Sequence, residues 1–133
     1  MPNTAVERLA VAVGVIRDAQ RRVLIAQRAR HRHQGGLWEF PGGKIEAGES
    51  VATALARELR EELAIDVQAC RPLLTLDHDY PDLAVRLEIR EVMQFRGEPV
   101  ACEGQVLVWA PLADLAGYPM PAPNAAIIAI LQS

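Results

Sequence analysis

The chain has 133 residues, half of them apolar, which suits one domain with a buried core and excludes a disordered polypeptide. Its net charge of −3 provides no basic footprint for duplex nucleic acid, so a polyanionic ligand would need positive charge from elsewhere, such as a metal ion. Two cysteines, Cys70 and Cys102, are too few for a disulfide framework and lack zinc spacing, and each reads as a small buried hydrophobe in a reducing compartment.

Met1 to Arg8 carries no signal-peptide pattern, and Leu9–Ile16 is too short and too interrupted to span a membrane. The expectation is a soluble cytoplasmic protein with a single domain over 1–133. Arg8 to Ile16 is rich in β-branched residues and reads as a buried strand. Asp18-Ala19-Gln20 is a turn, and Val23 to Gln27 is a second strand, so the two suggest a hairpin. Arg28 to Gly36 holds three arginines, two histidines and a Gly-Gly pair, and reads as a loop. Leu37 to Phe40 is a short extended piece that Pro41-Gly42-Gly43 must break.

Ser50 to Leu63 is the clearest helix. Ser50 is a good N-cap. Val51, Leu55, Leu59 and Leu63 recur every four residues, and Ala52 and Ala56 widen the stripe. Val67 to Leu76 reads as extended, interrupted by Pro72. Leu83, Val85, Leu87 and Ile89 alternate with Ala84, Arg86, Glu88 and Arg90, the period of a half-buried strand that continues towards Phe95. Gly97-Glu98-Pro99 is a turn and Gln105 to Trp109 a strand. Pro111 to Leu115 suits one helical turn, and Pro123-Asn124 opens a last helix through Leu131. Strands around one helix and before another give an α/β or α+β class with a mixed sheet.

The main helix breaks a local rule. Glu58, Glu61 and Glu62 stand at i, i+3 and i+4, where like charges destabilise a helix by roughly 0.2–0.5 kcal/mol per pair. They also lie in its C-terminal half, where the helix dipole disfavours anions. A solvated acidic face is the bland explanation. A hard divalent cation is the functional one, because carboxylate oxygens are its preferred ligands. Gly42-Gly43 precedes the helix and lets backbone approach a ligand, and Glu49 and Arg57 bracket the first turns, placed to pair.

Gly43 to Ile65, GKIEAGESVATALARELREELAI, resembles the Nudix box, G-x5-E-x7-R-E-U-x-E-E-x-G-U with U a bulky aliphatic. Gly43, Glu49, Arg57, Glu58, Leu59, Glu61, Glu62 and Ile65 fill eight of its nine defined positions, and Ala64 replaces the glycine that ends the helix. An alanine in a left-handed conformation there should cost on the order of 1 kcal/mol. The resemblance implies an α/β/α sandwich around a mixed sheet and hydrolysis of a nucleoside diphosphate linked to another group. It also implies magnesium or manganese held by Glu58, Glu61, Glu62 and the carbonyl of Gly42. One carboxylate of the cluster would be the general base, which the box does not assign, and Glu49 and Arg57 would orient the loop.

Beyond the box the chain is similar to the MutT-like branch, whose members act on oxidised guanine nucleotides. Trp38 to Glu46 resembles that branch's entry to the box. Glu103 matches a distant glutamate that completes the metal site. Asn124 matches an asparagine that reads the purine edge, although an asparagine there also suits a helix cap. Arg28 matches a basic residue near the substrate phosphates, with His33 in the same loop. Phe40 would line the base pocket or the core. Leu83, in Tyr80-Pro81-Asp82-Leu83, would offer its main chain to the base. His31, His33 and His78 have no zinc spacing, and Trp38 and Trp109 suit core or pocket wall better than a stacking platform for single strands. The ligand implied is a small nucleotide, with 8-oxo-dGTP foremost. Pyrimidine triphosphates, dinucleoside polyphosphates, nucleotide sugars and a non-catalytic nucleotide-binding domain are the alternatives.

Overall fold

The computed structural model describes residues 7–28 and 36–133. His31 and His33 lie outside the described residues. In chain order the elements are β1 (Leu9–Ile16), β2 (Arg22–Gln27), β3 (Trp38–Glu39), β4 (Gly42–Lys44), α1 (Val51–Leu63), β5 (Asp66–Tyr80), β6 (Leu83–Arg96), β7 (Val106–Pro111), a 3-10 turn at Leu112–Gly117, and α2 (Asn124–Leu131).

Among the described residues the strands form two sheets, ordered β4-β1-β6-β5 and β3-β2-β7. The first is mixed, because β1 runs parallel to β6 and antiparallel to β4. The second is antiparallel. Strand periodicity explains how both are buried on two faces. Ala12, Ile16, Leu24, Leu107 and Trp109 pack with the α1 residues Leu55, Leu59 and Leu63. Val13, Val15, Val23, Ile25 and Ala110 pack instead with Ile127 and Leu131 of α2. The sheets therefore make one middle layer between two helices, as the expected sandwich requires.

The β1–β2 pairing is a correction. Asp18 does make the turn, its Oδ1 accepting from the backbone N–H groups of Gln20 and Arg22 at 2.9 Å each. Only one bridge, Arg17 to Val23, links the two strands. Both edges of β1 are already taken by β4 and β6, so β2 enters the other sheet. Pro72 does not end its strand either, since β5 runs on to Tyr80 with register shifts on each side of the proline. Pairing with β6 leaves the other edge of β5 open, the place where a sheet tolerates proline.

Helix α1 begins as expected, with the Ser50 side chain accepting from Thr53 N–H. Ala54, not Ala52, widens its buried stripe. Ala54, Glu58 and Glu62 fall at i, i+4 and i+8, so the small residue brings that flank of the helix close to the sheet. The helix ends at Ala64 with φ 58° and ψ 29°, its N–H donating to the Arg60 carbonyl. Cys102 is exposed and Cys70 only half-buried, which corrects the expectation that both are buried. Trp38 packs edge-on against Tyr118 beside the α2 core, and Trp109 packs beside the α1 core.

Candidate active site

Strand β4 and helix α1 build the floor of the site. A side chain at Gly42 has no room, and one at Gly43 would require Glu58 to move. A Cβ on Gly42 would strike the Ala12 carbonyl of β1, and one on Gly43 would strike the Glu58 carboxylate. The glycine backbone thus lies directly on the acidic flank of α1, where the Gly42 N–H donates to Glu62 Oε2 at 3.3 Å.

Arg57 organises the loop that leads into the helix. Its Nε and Nη2 donate to the two oxygens of Glu49 at 2.9 Å each, a bidentate pair. Nη2 also donates to the Lys44 carbonyl at 3.0 Å and Nη1 to Glu58 Oε1 at 2.9 Å. Glu49 accepts in addition from the Glu46 N–H. The Arg57 hydrogen bonds, with that N–H, hold the Glu49 carboxyl down at about 2. The expected Glu49–Arg57 pair is therefore present, and one guanidinium ties loop, strand and helix together.

The other glutamates are held differently. Burial pushes Glu62 up to about 8, helped by the charges of Glu103, Glu58 and Glu39. Glu58 is raised as well, by burial first and then by Glu61 and Glu103, against the lowering effect of Arg57. Glu61 is exposed and 3.7 Å from Arg57. Glu103, on the exposed loop between β6 and β7, is near enough to act on both Glu58 and Glu62. The fold thus collects carboxylates that are far apart in sequence into one repelling group.

Such a group suits a hard divalent cation. All its donors are oxygens, and a cation would relieve the burial and repulsion that the anionic forms suffer. As they stand, no three acidic, histidine or cysteine side chains among the described residues are grouped closely enough to hold an ion. Glu58 is turned onto Arg57 and Glu62 onto the Gly42 N–H. Like charges without a counter-ion keep their distance, so closing the set requires side-chain rotation.

A cleft of about 740 Å³ is lined by Glu62 and Glu103 of this group, but not by Glu58 or Glu61. Gly42, Gly43, Phe40, Leu83 and Asn124 also line it. Arg28 and Glu39 lie on its wall as an ion pair 2.8 Å apart. Phe40 is 4% exposed and serves core and pocket wall together. Asn124 is 8% exposed and is the first residue of α2, but its side chain does not cap the helix. Its Nδ2 instead meets the Met120 sulfur at 3.7 Å, a weak acceptor that a better one would displace. Leu83 is 46% exposed at the tip of the β5–β6 hairpin, with Tyr80 and Asp82 beside it in the lining. Tyr80, Glu39 and Gln105 are lining residues that sequence reasoning did not select. Glu39 and Tyr80 fell only inside the similar runs Trp38–Glu46 and Tyr80-Pro81-Asp82-Leu83, and nothing in the local pattern singled out Gln105.

The α/β/α layering and the glycine strand pressed on an acidic helix define a class of hydrolases, and comparison with known proteins identifies it. The NUDIX domain model matches residues 12–129, and the chain belongs to the Nudix family. It is an enzyme that hydrolyses phosphoric anhydrides, and within the family it is MutT-like. The 8-oxo-dGTP diphosphatase of Escherichia coli strain K12 is 37% identical over 126 residues, 95% of this chain and 98% of the relative. A CTP pyrophosphohydrolase of the same organism is 37% identical over 108 residues, 81% of this chain and 80% of the relative. A solved MutT structure, from work on the Aliivibrio salmonicida and Vibrio cholerae proteins, superposes with a TM-score of 0.82 at 36% identity. It covers 94% of this chain and 97% of that one. No helix among the described residues is long and apolar enough to cross a membrane.

Proposed function

We propose that the chain, as a single domain, is a metal-dependent nucleoside triphosphate pyrophosphohydrolase that removes oxidised purine nucleotides. Its substrate would be 8-oxo-dGTP, cut to the monophosphate and pyrophosphate. One observation carries this reading: a single cleft joins the buried amide of Asn124 to the carboxylates of Glu62 and Glu103. Its volume lies within the range of roughly 300–1,000 Å³ usual for small-molecule sites.

The roles follow from the chemistry of each group. Glu58, Glu61, Glu62, Glu103 and the Gly42 carbonyl would hold magnesium or manganese. The ion, when bound, supplies charge neutralisation for phosphate and acidifies water. One carboxylate of the cluster accepts the proton of the attacking water. Arg28 meets the phosphates, drawn from its pair with Glu39. Phe40 and the Leu83 main chain border the base, and Asn124 reads its edge with one donor and one acceptor. Arg57 and Glu49 keep the loop and helix in register.

The CTP pyrophosphohydrolase relative favours a second substrate class, a pyrimidine triphosphate. A panel of 8-oxo-dGTP, dGTP, dCTP, CTP, a dinucleoside polyphosphate and ADP-ribose, assayed for products with magnesium, decides between them. Strong preference for 8-oxo-dGTP with pyrophosphate release supports the proposal, and preference for CTP or dCTP replaces it. Asn124→Ala should reduce discrimination between 8-oxo-dGTP and dGTP by about 10-fold or more, the worth of one buried hydrogen bond. Unchanged discrimination removes Asn124 from base recognition.

A further inference from the structure

The segment between β6 and β7 is fastened to the C-terminal end of α1. The last carbonyls of a helix have no partner inside it. Here the Glu62 carbonyl accepts from Cys102 N–H at 3.1 Å, and the Leu63 carbonyl from Val100 N–H at 2.9 Å. A further bond comes from a side chain, with Gln105 Nε2 donating to the Glu62 carbonyl at 3.1 Å. The other end of the same amide, Oε1, accepts from the backbone N–H of Glu103 at 2.9 Å. One side chain therefore joins two residues that both line the cleft. An amide is the group that does this, since it offers a donor and an acceptor at a fixed separation. A carboxylate has no donor for the carbonyl, and an ammonium no acceptor for the N–H.

We propose that Gln105 is a positioning residue that clamps the Glu103 backbone to the end of α1, so that Glu62 and Glu103 face one cation together. The inference rests on reading those two glutamates as metal carboxylates. Glu103 stands on an exposed segment that turns at Gly104, with φ 71°. The Gln105 amide restrains that segment and pre-organises the backbone that carries Glu103. Groups that orient ligands in this way are worth roughly 10–100-fold in metal affinity.

The test is Mn2+ binding to the nucleotide-free protein, with free ion counted by electron paramagnetic resonance. Gln105→Met, similar in size but without either hydrogen bond, should weaken binding about 10-fold. In a Glu103→Gln background the same change should add less than about twofold, because its effect runs through Glu103. Wild-type affinity in Gln105→Met, or an undiminished loss in the double variant, overturns the clamp. If Glu103→Gln itself binds Mn2+ like wild type, the metal reading of Glu103 fails and the clamp falls with it. Should Gln105→Met melt below the assay temperature, Gln105→Asn serves instead. Its amide is one methylene too short to reach both partners, so weakened binding is again expected and wild-type affinity again overturns the proposal.

Discussion

The backbone of Gly43 runs so close to Glu58 that a methyl group added there would overlap its carboxylate. A glycine at this position of the Nudix box is thus a matter of space between β4 and α1. Gly43→Ala must push Glu58 aside or separate strand and helix. We expect activity to fall by about 100-fold, the usual consequence of misplacing a catalytic group by roughly 1 Å. Stability should change little, because the overlapped atoms are the far end of a flexible side chain. Near-normal turnover would show that Glu58 is free to move without consequence.

Arg57 makes a planar, two-pronged contact with Glu49 and still reaches Lys44 and Glu58. Lysine keeps the charge but cannot span these partners. Arg57→Lys should therefore lower kcat on the order of 10-fold or more with little change in net charge or fold. Stopped assays with circular dichroism on the same samples check this, and an unaltered kcat would reduce the contact to simple charge balance.

Glu49 and Glu62 give opposite pH signatures. The depressed Glu49 carboxyl contributes stability above its unfolded value of about 4.5, and that contribution is lost as pH falls towards about 2. Glu62, raised to about 8, holds its proton in the folded state while the unfolded chain has released it. Its effect is therefore a loss of stability as pH climbs from about 4.5 to 8. Thermal melts of metal-free protein from pH 5 to 8 should decline, and Glu62→Gln should flatten that slope. Magnesium should bind more tightly at pH 8 than at pH 6, because binding displaces the Glu62 proton. Metal affinity independent of pH across this range would contradict the assignment.

Ala64 occupies a left-handed cap that the family pattern gives to glycine. Ala64→Gly should stabilise the protein by about 0.5–1 kcal/mol, the relief of the Cβ clash less the added freedom of the unfolded chain. A calorimetric scan should show a melting point about 2–4 °C higher at unchanged activity. A lower melting point would mean that the methyl group makes a compensating contact.

Much of the site was legible because it is local. The box places Glu49, Arg57, Glu58, Glu61 and Glu62 on a loop and one helix, where spacing alone fixes relative position. The strands of β6 and β7 were legible from alternation and the turns from glycine and proline. The role of Asn124 at the helix start was not, because a cap and a pocket amide leave the same trace in sequence. Gln105 left none at all, since both of its bonds go to backbone atoms, one of them 43 residues away.

The sequence by itself determined the family, the acidic helix and the residues proposed to meet a metal and a phosphate. Tertiary structure decided which of them share a cleft. It also decided that β2 leaves β1 for the other sheet, that Glu103 and Glu62 line one cleft, and that Glu62 is less exposed than Glu61. Periodicity encodes which way a residue faces along its own element. What it faces depends on the packing of distant elements, and that packing sets the burial and charge from which the chemistry follows.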